Sequence, residues 1–168
     1  MKKLSKRSLY LLIGFAVPFL NLLNPAWISI KGVGPSWAVL WLLPWALEEG
    51  SWHGMFAGFC IGMLVDATHL EGASQIPALI ILGFWWGRLG RQSQLIESSF
   101  NLGLLAWIGA FLIGLTIWVQ KIYLLENKTI SFFHAFSLHS LLAETIITAL
   151  LAPIICSLLL LYFFRYKT

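Results

Sequence analysis

Apolar residues gather into six runs along this chain, at about 9–27, 33–47, 51–70, 74–89, 100–122 and 134–164, and short polar turns separate them. Most of these runs are too long for strands and approach the roughly 20 residues that a bilayer-crossing helix needs. The pattern predicts an all-α membrane protein of six transmembrane helices, a single polytopic domain over 1–168. The second run is the short one. At about 1.5 Å per residue it spans about 22 Å, less than a hydrocarbon core of roughly 30 Å. It must thin the bilayer, tuck behind its neighbours or turn back.

Within the third run, Gly50, Gly54, Gly58 and Gly62 recur at every fourth position, and Asp66 takes the next step of the series. In water each glycine would weaken a helix by about 1 kcal/mol. In lipid a strip without side chains lets a neighbouring backbone come close. Successive i+4 positions drift by about 40° around a helix, so the strip predicts a crossing neighbour rather than a parallel one. Two uses are open: packing within the chain, or docking of another protein's transmembrane helix. Gly83 with Gly87, and Ala110 with Gly114, repeat the small-residue spacing.

Composition and charge sharpen the picture. Only 11% of the residues are charged, against about a quarter in a soluble domain, and mean hydropathy is +0.83. The basic N-terminus leads into an apolar run that continues past the length of a signal core, so it reads as a retained first span. If all six runs cross with the N-terminus inside, Lys2, Lys3, Lys6, Arg7, Arg88, Arg91, Arg165 and Lys167 are cytoplasmic. Lys31, Lys121 and Lys128 are then outside, an eight to three split. A re-entrant second run gives six to five, so the positive-inside rule favours six spans and cytoplasmic termini. The net charge of +4 is accounted for by this topology, and no nucleic-acid-binding patch remains.

Intramembrane acids are costly and by default functional. Asp66, near the outer end of its span, is placed to cap the helix that starts around Ser74, where an anion is favoured. Gly72 offers a helix stop, and Pro77 falls in a first turn where its missing N–H costs little. Glu144 should face protein or water, with Thr145, Thr148, His139 and His69 as its nearest polar companions. Asp66, His69 and Glu144 therefore form the candidate intramembrane polar site. Arg88, Arg91 and Glu97 form the candidate cytoplasmic contact surface. The four histidines lack metal-site spacing, and neither a nucleotide loop nor a hydrolase elbow is present. The reading is a non-enzyme without cofactor or metal. Cys60 and Cys156 read as small core residues. Pro18, Pro44 and Pro153 should each free a carbonyl for a neighbour to satisfy. Trp27, Trp37, Trp52, Trp107 and Trp118 read as interfacial anchors, and Trp41, Trp45, Trp85 and Trp86 as fillers of the space glycines leave.

The central stretch, from Ser36 through Met55 and from Ala57 to Phe84, resembles the rod shape-determining protein MreD family of bacterial inner-membrane proteins. Gly58, Gly62, Leu64, Asp66 and Gly72 stand in the order of that family's pattern. Glu144 and the very aromatic first half have no counterpart in it. The resemblance implies a multi-pass protein of the bacterial inner membrane, a scaffold of the cell-wall elongation machinery that maintains rod shape. Its implied partners are MreC and, indirectly, MreB and the peptidoglycan synthases. It also implies the six-helix fold of the substrate-binding subunits of energy-coupling-factor transporters. The alternative on that fold is a small-molecule binding subunit or transporter, which requires Asp66, His69 and Glu144 to converge on a cavity.

Overall fold

A computed structural model describes residues 2–23, 29, 33–68, 73–90, 99–124 and 135–164. These residues form six helices: α1 (Lys2–Leu23), α2 (Trp37–Glu49), α3 (Ser51–Asp66), α4 (Ile76–Leu89), α5 (Ser99–Leu124) and α6 (Ala135–Phe164). All six apolar runs are helical, within a few residues of the expected bounds at most ends. α1 differs most: it begins at Lys2, inside the basic segment. Within α5 and α6, Phe100–Lys121 and Ser140–Leu161 are each long and apolar enough to cross a membrane.

The short second run is the centre of the molecule. Every residue from Ala38 to Leu47 is buried, and α2 touches α1, α3, α4, α5 and α6. The helix is tucked behind its neighbours, one of the arrangements open to a helix this short. Trp41 and Trp45 stack along it with ring centroids 5.9 Å apart. Pro44 sits in mid-helix, where it lacks the N–H that would reach the Leu40 carbonyl four residues back. The thiol of Cys156, on α6, points at that carbonyl from 3.7 Å.

A single residue, Gly50, joins α2 to α3. Its φ of 92° lies in the region that side-chain-bearing residues rarely adopt, so the turn depends on glycine. The most extensive helix pair is α3 with α4, followed by α5 with α6. The outward faces of α5 and α6 are continuous apolar stripes. On α6 the exposed residues Leu142, Ile146, Leu150, Ile154, Leu158 and Leu161 form one line. At about 1.5 Å per residue that line is about 29 Å long, the thickness of a hydrocarbon core.

Candidate functional site

Three rungs of the glycine ladder, Gly54, Gly58 and Gly62, face α4 of the same chain. Gly54 lies against the carbonyl of Gly83, and Gly58 against that of Leu79, so neither position has room for a methyl group. A Cβ at Gly62 would stand 2.9 Å from the Cα of Ile76, while Gly87 backs onto Gly50 and Ser51. Each advance along α3 is matched by a retreat of three or four residues along α4. The contact is therefore antiparallel and lengthwise, not the crossing that a drifting strip predicts. The reason is that α4 mixes steps of three and four, which keeps its small and apolar face turned toward α3. Gly54, Gly58 and Gly62 pack the chain against itself, and the groove they form is filled by α4, whereas a side chain at Gly50 would meet open space and that glycine serves the turn.

Asp66 ends α3 with its carboxylate committed. Oδ1 accepts the backbone N–H of Gln75 at 2.9 Å, and Oδ2 accepts the hydroxyl of Ser74 at 2.6 Å. The Ser74 hydroxyl oxygen in turn accepts the Ile76 N–H at 3.2 Å. Helix α4 starts at Ile76, with Gln75 rather than Ser74 in the capping position. Gln120 of α5 completes the node. Its Oε1 accepts the Ser74 N–H at 2.6 Å, and its Nε2 donates to the Ser74 carbonyl at 2.8 Å. Three helices are thus tied to one dipeptide. Sequence reasoning missed Gln120, a lone amide near a helix end whose only signal was polarity within an apolar run.

A second polar region lies where the end of α1, the start of α2 and the facing halves of α5 and α6 meet. It surrounds a cavity of about 350 Å³ whose wall includes Asn21, Trp37, Trp118, Lys121, Ser140 and Glu144. Gln75 reaches its edge, so the cavity adjoins the Asp66 node. The hydroxyl companions expected for the Glu144 carboxylate are turned elsewhere. Thr148 accepts the Ser36 N–H at 2.9 Å and donates to the Glu144 backbone carbonyl at 2.6 Å, and Thr145 donates to the Leu142 carbonyl at 2.9 Å. Short local bonds of this kind are the usual choice of threonine in a helix. Among the described residues the Glu144 carboxylate has no hydrogen-bond partner, and it faces the cavity.

Asp66 is not part of the cavity wall, although Gln75, whose N–H it accepts, is. His69, Gly72, Arg91 and Glu97 lie outside the described residues, as do Trp27 and His134. Arg88 is exposed in the last turn of α4. Trp41 fills the space beside Gly14, and Trp86 the space beside Gly109. Trp85 is exposed instead and fills no such gap. Cys156 is buried, but Cys60 is exposed, contrary to a core role. It lies in an apolar cleft of about 560 Å³ between α1, α2 and α3, among Phe15, Trp41, Trp52 and Phe56. No group of three metal-ligating side chains occurs among the described residues.

No family model, no curated protein and no solved structure matches this chain.

Proposed function

We propose that the chain is a multi-pass scaffold of the bacterial inner membrane, acting without catalysis in the cell-wall elongation machinery that maintains rod shape. The observation that carries this reading is the use made of the residues behind the MreD resemblance. Gly58, Gly62 and Asp66 are all committed to holding α4 and its leading loop against α3. A pattern devoted to shape suits a protein whose work is to present surfaces. In this reading all six helices cross the bilayer with both termini in the cytoplasm, and the end of α4 bearing Arg88 faces the cytoplasmic filaments of MreB.

The closed ladder moves the docking site for a partner helix elsewhere. The outward face of α3 carries Trp52, Phe56, Phe59 and Met63, all exposed, at spacings of three and four. The apolar cleft around Cys60 borders that face. The transmembrane helix of MreC docks there, aromatic rings supplying contact area that lipid tails would otherwise cover. Crosslinking tests it. A photoreactive maleimide on Cys60, in a Cys156→Ala chain in its native rod-shaped host, should capture MreC, and depletion of the chain should round the cells. Lipid adducts alone, with rods retained on depletion, would sink the reading.

The transporter alternative asked for Asp66, His69 and Glu144 around one cavity. Asp66 is bonded to its own loop, and only Glu144 of the two described acids faces open space. That geometry favours the scaffold as the chain's main role.

A further inference from the structure

Among the described residues the Glu144 carboxylate has no hydrogen-bond partner, and it stands in the wall of a built cavity. A carboxylate taken from water needs compensation by a cation or by donors. The threonines beside it are turned to backbone carbonyls, and the Asp66 node uses its own donors internally. Trp37 of α2 and Trp118 of α5 line the same space. An acid flanked by indole rings is the chemistry that recognises an ammonium group, by charge and by the negative ring face. A volume of about 350 Å³ falls at the small end of ligand pockets.

The other charged group in the wall is Lys121. Gly114 of α5 packs on Leu141 of α6, which fixes the relative height of the two antiparallel helices. Counting from that level, Glu144 lies deeper and Lys121 nearer the end of the bundle, with about 15 Å of axial rise between their Cα atoms. Helical side chains lean toward their own N-terminus. On these opposed helices the two therefore lean toward each other across the cavity. The N-terminus of α2, at Ser36 and Trp37, adds partial positive charge to the same wall.

We infer that this cavity binds an organic ammonium that also carries an anionic group, with the ammonium on Glu144 between Trp37 and Trp118. Phosphatidylethanolamine headgroups and free amino phosphates share this chemistry. The site does not depend on the elongation-machinery reading.

The test uses the full chain purified in detergent and exchanged into defined lipid. Native mass spectrometry should show phosphatidylethanolamine retained over phosphatidylglycerol, which has a hydroxylated headgroup in place of the amine. Glu144→Gln should lower that preference by about tenfold or more, and Trp118→Leu should lower it to a lesser degree. Soluble phosphoethanolamine that displaces the lipid identifies the headgroup chemistry alone as sufficient. Failure to displace, with the lipid preference intact, assigns the site to membrane lipid. Equal retention of the two lipids overturns the inference. So does a Glu144→Gln chain that melts earlier yet keeps its preference, since Glu144 would then only balance the α2 terminus.

Discussion

The α3–α4 and α5–α6 pairs solve one problem in opposite ways. In the multi-pass reading proposed above there is little hydrophobic gain between helices in lipid, so close packing and polar contacts must hold them. In α3–α4 the backbones themselves meet, glycine against carbonyl, and both Asp66 carboxylate oxygens, the Ser74 hydroxyl and both ends of the Gln120 amide are bonded in the connecting node. In α5–α6 the contact runs more through side chains: Gly114 meets the tip of Leu141 and Gly103 the Pro153 ring, with the Ala149 carbonyl at a looser 3.2 Å from a Cβ at Gly103. The first pair gains rigidity. The second leaves a space, and an acid facing it.

One substitution at matched positions separates the two. Gly54→Ala drives a methyl into the Gly83 carbonyl, which cannot yield without parting the helices, so a loss of about 3 kcal/mol is expected. Gly114→Ala meets only the end of a leucine, and about 1 kcal/mol or less is expected. Unfolding in mixed micelles, followed by tryptophan fluorescence, measures both. Equal losses would erase the distinction drawn here.

The polar node comes next in size. Asp66→Ala removes two acceptors and leaves the Gln75 N–H unpaired, at about 2 kcal/mol. Gln120→Ala breaks both bonds to Ser74 and should cost about 1–2 kcal/mol, with hydrogen exchange rising at Ser74. If the node acts as a unit, the double variant should lose less than the two single losses together.

The last effect concerns Cys156. Cys156→Ala should cost about 1 kcal/mol, because the Leu40 carbonyl that Pro44 leaves free loses its donor. In a Pro44→Ala background the restored N–H fills that role. The same cysteine change should then be close to neutral in the same assay.

Much of the hairpin was legible in the sequence. A four-residue glycine period has few uses in an apolar helix, and an acid one step beyond it, eight residues before Ser74, reads directly as a clamp on the next helix. The direction of packing was not legible. Drift calculated from α3 alone ignores the spacing on α4, and only the pair determines the crossing. The donor for the Leu40 carbonyl was half legible: Pro44 announces a freed acceptor, but nothing local says that a thiol 116 residues away supplies the proton. The cavity was the least legible feature. It arises from five elements meeting, and its emptiest wall depends on threonines that turn away from Glu144 toward carbonyls nearby in the chain.

The burial of α2 bears on how the molecule is made. In the multi-pass reading proposed above, the ten residues from Ala38 to Leu47 have protein rather than lipid on every side, and a segment this short is held only weakly by the bilayer alone. Their stable residence therefore waits for α3 and α4, which follow directly in translation. A nascent chain released before Leu89 should slip its second segment back to the aqueous side.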